Sequence, residues 1–166
     1  MLNLAQQLIF ARDGTLFAVG NTPGTKVTLD SYNPVTNTWT NILTSGVTGT
    51  AFAIAEGING LLYVGGIFLN LNGDANQDGI AAYNRTTAAW AALGTGLNGN
   101  VEDEGLTIGR DGRVYVSGNF TTAGGVAALG AAVWNGASWS GVGSGFTGGV
   151  GSVARTLPDG SIIFGG

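Results

Sequence analysis

The chain has 166 residues, of which 31 are glycine and 10% are charged, with a net charge of −4 and neither cysteine nor histidine. Glycine at nearly one residue in five excludes a helical bundle, because each interior glycine costs a helix about 1 kcal/mol, and a hydrophobic content of 44% excludes intrinsic disorder. The acidic balance and the single lysine, Lys26, leave no phosphate-neutralising patch, which excludes nucleic acid as a partner.

The first predicted element is a β-hairpin. Two apolar runs, Leu8–Ala11 and Leu16–Val19, flank the turn pair Asp13-Gly14, and the second run ends at Gly20. Such turn pairs accept the positive φ that hairpin twist requires. A second hairpin follows, marked by Tyr32-Asn33 and then Trp39, and the polar segment Ser45–Gly49 closes the unit. The order then recurs. Phe52–Ala55, Asn59-Gly60, Leu61–Val64 and Gly65-Gly66 lead to Tyr83-Asn84, Trp90 and the closing segment Thr95–Gly99. Leu106–Ile108, Asp111-Gly112, Val114–Val116 and Gly118 lead to Trp134-Asn135, Trp139 and Ser144–Gly148. Val153-Ala154, Asp159-Gly160, Ile162–Phe164 and Gly165-Gly166 begin a fourth copy.

The period is roughly 50 residues, and each period predicts four short antiparallel strands. A four-stranded sheet has two faces to bury, and neighbouring copies can bury them. The fold class predicted is therefore all-β, a β-propeller of three complete four-stranded blades plus the first hairpin of a fourth. The boundaries fall at about 1–49, 50–99, 100–149 and 150–166 within a single domain. Propellers close with four to eight blades. The chain is thus expected not to form a closed monomeric ring by itself. Either further blades of a longer chain or copies of the same chain would complete it.

Four strands per unit, glycines after the second strand, and the Tyr32/Trp39 and Tyr83/Trp90 spacing resemble the kelch repeat. The segment Gly118–Gly125 is similar to kelch-like repeats of large bacterial surface and secreted proteins. The third unit departs from the pattern, with Trp134 in place of tyrosine and a shorter spacing to Trp139. What the resemblance implies is a binding platform more often than an enzyme.

Four features bear on chemistry. Gly94–Gly99 and Gly143–Gly148 both fit G-x-G-x-x-G, but a dinucleotide site needs a helix to follow, and here β-like sequence follows; they read as connectors, each tucking one apolar residue inward. Asp74, Asn76 and Asp78 place oxygens at alternate positions before Gly79, with the Ile80 carbonyl next, as in the opening of a calcium loop. The later ligand positions hold Ala82 and Arg85, so an ordinary polar loop is the competing reading and calcium the one cofactor considered. Glu102-Asp103-Glu104 reads as a solvated acidic run ahead of the third unit's first strand. The recurring tyrosines and tryptophans are expected to pack between blades, with sugar stacking as their other use.

Without histidine or cysteine the usual general base and thiolate nucleophile are missing, and no acid pair is placed as a glycoside hydrolase needs. The sequence therefore predicts a non-enzymatic binding or structural module. Its expected partner is a protein or glycan surface, and its setting a bacterial surface protein or a phage particle. A lectin with one shallow site per blade is the alternative, and a propeller glycoside hydrolase ranks below it. No apolar run reaches the length of a membrane span, so membrane insertion is not expected. Met1–Leu8 lacks the basic start of a signal peptide.

Overall fold

The computed structural model describes residues 4–43 and 46–166, and among them every regular element except one short 3-10 turn is a β-strand. Sheet one consists of β1 (Leu4–Phe10), β2 (Leu16–Asn21), β3 (Val27–Asn33) and β4 (Thr38–Asn41). Sheet two consists of β5 (Gly49–Glu56), β6 (Leu62–Phe68), β7 (Ile80–Asn84) and β8 (Ala89–Ala91). After β9 (Asn100–Ile108) and β10 (Val114–Asn119) comes a small extra hairpin, β11 (Thr122–Ala123) and β12 (Val126–Ala127). The chain then forms β13 (Ala131–Trp134) and β14 (Trp139–Gly141), which complete sheet three with β9 and β10. Finally β15 (Val153–Thr156) pairs with β16 (Ile162–Gly165) alone. Every pairing is antiparallel and joins neighbours in the repeat.

The turns explain why these sequences fold locally. At each first hairpin the aspartate or asparagine accepts from the backbone N–H two residues on: Asp13 from Thr15 (3.0 Å), Asn59 from Leu61 (3.2 Å), Asp111 from Arg113 (3.1 Å) and Asp159 from Ser161 (2.9 Å). Only the glycine that follows takes a positive φ, between 76° and 91°. The turn pair thus divides its work: the side chain satisfies a donor and glycine takes the left-handed turn. Asn33, Asn84 and Asn135 cap the second hairpins in the same way, each accepting from two successive backbone N–H groups.

The sheets pack face to face, and strand alternation sends neighbouring residues into different cores. In sheet two, Ala51, Ile54, Leu62, Val64, Ala81 and Tyr83 join Phe17, Val19, Val27 and Leu29 of sheet one. Their neighbours Ala53, Tyr63, Ile80 and Ala82 join Val101, Leu106, Val114, Val116 and Trp134 of sheet three. The β15–β16 hairpin continues the stack, with Phe164 edge-on to Tyr115 at 6.3 Å. Closest approach between sheets runs along first strands: β5 lies on β1, β2 and β3, β9 on β5 and β6, and β15 on β9 and β10.

Glycine was expected to end each second strand; instead Gly20, Gly66 and Gly118 lie inside β2, β6 and β10. There the start of the first strand crosses so closely that a Cβ would penetrate the carbonyl oxygens of Leu4, Thr50 and Asn100 respectively. The first strand accommodates this crossing with a register shift, at Ala5/Gln7 in β1, at Ala51/Ala53 in β5 and opposite Val116/Gly118 in β9. The acidic run Glu102–Glu104 is part of that irregularity. It lies within β9, not ahead of it, and Glu104 adopts a φ of 58°. Backbone cannot yield as a side chain can, so Gly66→Ala is expected to cost at least about 2 kcal/mol. Gly24→Ala, where a Cβ meets nothing nearer than 3.8 Å, is expected to leave the unfolding midpoint within about 0.5 kcal/mol of the parent. Denaturant titration of the two variants checks the contrast.

Candidate functional site

The three aromatic pairs face each other across the third and fourth strands. Tyr32 and Trp39 have ring centroids 5.2 Å apart, Tyr83 and Trp90 5.0 Å, and Trp134 and Trp139 5.5 Å, tilted by 46–51°. Each pair lies on the face that looks toward the preceding sheet. For sheets two and three this is the expected packing between repeats: Tyr83 and Trp90 meet the core shared with sheet one. The Trp139 Nε1–H donates to the Leu93 carbonyl of sheet two at 2.6 Å. In sheet one the same pair opens onto a groove of about 940 Å³, and Trp39 remains 38% exposed.

That groove differs from the covered faces in chemistry as well as in exposure. Beside the aromatic pair, Asp30 stands directly opposite Asn41, and the Asn41 Nδ2 donates to Asp30 Oδ1 at 2.8 Å. At the same register sheet three carries Ala132 opposite Gly141, and sheet two carries Ala81. Thr28 and Lys26 also line the groove, with Lys26 Nζ donating to Thr48 Oγ1 at 2.8 Å. The sequence reading did not single out Asp30 or Asn41. Counting back two residues from each aromatic marker would have set Asp30 against Ala81 and Ala132.

A second groove, of about 890 Å³, lies at the end of the stack where the connectors cross. Thr48, Asn70, Asp78, Asn98 and Asn100 supply its polar groups, and the exposed Ile67 and Leu69 its apolar ones. The two G-x-G-x-x-G segments are connectors that lead to β9 and β15, as expected. Leu97 is buried within the first, and Phe146 is half-buried in the second. Val47 of the earliest connector packs against the core of sheets one and two, while Ser45 lies outside the described residues.

The segment considered for calcium is the loop between β6 and β7. Asp74 Oδ1 accepts from the Asn76 backbone N–H at 2.9 Å and from Asn76 Nδ2 at 3.2 Å, and Asp74 Oδ2 accepts from Gln77 Nε2 at 3.3 Å. Asp78 Oδ1 accepts from the Asn70 N–H at 2.6 Å, and the Asp78 carbonyl accepts from the Leu97 N–H at 3.0 Å. Ile80 is fully buried in β7, opposite Gly65. These oxygens therefore close the loop and hold the connector beside it. Among the described residues no three histidine, cysteine or acidic side chains group as metal ligands.

Arg85, at the next turn, bridges sheets. Its guanidinium binds Asp13 of sheet one at 2.7 Å and Glu56 of sheet two at 2.8 Å, and sits over the Phe17 ring at 5.5 Å. No protein-family model matches the chain, and no curated protein matches it.

The turn carboxylates carry a pH signature. The Thr15 N–H holds Asp13 below its ordinary value of 3.8, the Asn76 N–H does the same for Asp74, and the Ser161 hydroxyl for Asp159. A lowered carboxylate contributes stability that is complete above its unfolded value and is lost as pH falls through the folded one. Acid unfolding is therefore expected to steepen below about pH 4, with Asp74→Asn removing part of that dependence. Because the Asp74 oxygens already accept from protein donors, EDTA is expected to leave the melting temperature unchanged. A calcium-dependent rise in melting temperature that Asp74→Ala abolishes would restore the loop as a cation site.

Proposed function

We propose that the chain is a stretch of kelch-like β-propeller blades acting as a non-enzymatic binding or structural module. The observation that carries this reading is the two-faced packing of every sheet. Each lies on its predecessor along its first strand, and each turns its aromatic pair toward that predecessor, as blades fanned around an axis do. In this reading residues of about 1–49, 50–99 and 100–149 are blades, and 150–166 is the first half of another. The absence of histidine and cysteine from the sequence supports binding over catalysis. Low charge and a surface rich in threonine and asparagine suit an extracellular setting, on a bacterial surface or a phage particle.

Blades of this kind dock on one another. The β15–β16 hairpin is two-stranded, and Ile163, on the face turned away from sheet three, is 45% exposed. An uncovered strand edge with an apolar side chain beside it is a template for association. The 166-residue chain is expected to self-associate with rising concentration, and Ile163→Lys to shift it toward monomer, as read by light scattering behind a sizing column. A parent chain that stays monomeric across the whole concentration range would overturn the assembly part of the proposal.

A further inference from the structure

We infer that the open face of β3 and β4 in sheet one is a saccharide-binding site, the only one of the three equivalent faces built for a ligand. The inference rests on the binding-module reading and narrows it to one face and one ligand class. It starts from a block of four side chains on one side of two paired strands. Tyr32 stands opposite Trp39, and one pleat along, Asp30 stands opposite Asn41. An aromatic platform thus sits directly beside a carboxylate hydrogen-bonded to a carboxamide, in a groove of about 940 Å³.

The repeat supplies the contrast that gives this block meaning. Where the aromatic pair is covered by a preceding sheet, the positions beside it are reduced to Ala81 in sheet two and to Ala132 and Gly141 in sheet three. Small apolar residues let the next sheet approach and leave nothing to desolvate. Sheet one spends the same positions on two planar polar groups, although Asp30 is only 7% exposed. Polar groups held in so sheltered a place cost stability unless they are hydrogen-bonded. Covering them with another apolar sheet face would strip their remaining water. The face therefore fits an occupant that is apolar where it meets Trp39 and hydroxylated where it meets Asp30 and Asn41.

A pyranose ring has that division. Its C–H face stacks on an indole, and its adjacent hydroxyls both donate and accept, which matches a carboxylate acceptor next to a carboxamide that does both. A site that fixes a ligand through a few placed polar groups on an aromatic floor is the usual form of small-ligand recognition. Lys26 and Asp30 offset each other in charge, so the lining does not select a strongly ionic ligand. The covered pairs Tyr83/Trp90 and Trp134/Trp139 have the same ring geometry without the polar partners. The chain is therefore expected to bind one saccharide, where one per repeat would have been the simplest pattern.

The test titrates the intact chain with cellohexaose, maltohexaose, xylohexaose and N-acetylchitohexaose at millimolar concentration, read by tryptophan fluorescence and calorimetry. Saturable binding of at least one of them with a stoichiometry near one is expected. Trp39→Ala should abolish that binding, and Asp30→Asn or Asn41→Ala should weaken it by about tenfold or more, with circular dichroism unchanged. Trp39 is on an exposed edge strand, and Asn41→Ala removes only a side-chain amide, so at least one variant remains folded. Ile163→Lys should leave the saccharide affinity intact, so loss of self-association and loss of sugar binding are separate results. Failure of all four oligosaccharides to bind the parent chain, or binding that survives Trp39→Ala, overturns the inference. So does Trp39→Ala converting an associated chain to monomer, which would make a second copy the occupant of the face.

Discussion

Where the first strand of each sheet begins, it crosses the end of the second strand at a distance that leaves no room for a Cβ, and glycine at positions 20, 66 and 118 is what makes the crossing possible. Once the two backbones touch there, the first strand must shift register to stay in the ladder, and it does so in all three sheets. The same strand is the one that lies against the preceding sheet. Its alternation fixes which residues enter which core. Ala51 and Ile54 look back toward sheet one, while Ala53 looks forward to sheet three. A bulkier residue at the crossing would therefore disturb hydrogen bonding within one sheet and packing with its neighbour together.

Around that constraint the stack is fastened by contacts that differ from joint to joint. Between sheets one and two the fastening is electrostatic: Arg85 reaches Asp13 and Glu56, and Glu56 Oε2 also accepts from the Arg12 N–H at 2.7 Å. Between sheets two and three it is aromatic, through Trp139 and its bond to the Leu93 carbonyl. Between sheet three and the last hairpin it is made of hydroxyls and one ion pair: Thr156 bonds Thr107 and the Ile108 carbonyl, and Arg155 pairs with Glu104. One packing plan thus tolerates three chemistries, since each joint only has to satisfy what its own strands bring.

Much of this was legible in the sequence because it is local. A turn pair such as Asp159-Gly160 acts within four residues, and an aromatic followed by asparagine sets both a cross-strand partner and a turn cap. Strand lengths were less legible. Gly66 reads as a terminator in the sequence, but its role depends on Thr50, which is brought beside it by the hairpin. Glu102–Glu104 reads as solvent-facing charge, and only the pairing of Val101 with Gly118 shows that the strand begins before it. Arg85 acts on Asp13, 72 residues away, beyond any local rule. Asp30 and Asn41 are unremarkable strand residues until the faces are assigned, after which their departure from Ala132 and Gly141 becomes information.

The connector between sheets two and three divides its loyalties between adjacent residues. The Leu97 N–H donates to the Asp78 carbonyl of sheet two, whereas Asn98 accepts through its side chain from the N–H groups of Thr121 and Thr122 and donates to the Thr121 hydroxyl. The segment that sequence periodicity marks as a boundary is thus where two neighbours hold each other. The cooperative unit of folding is consequently offset from the unit of sequence duplication. Splicing copies at the connector would break these bonds, while a join placed inside a hairpin turn would carry each connector into the new context with both of its partners.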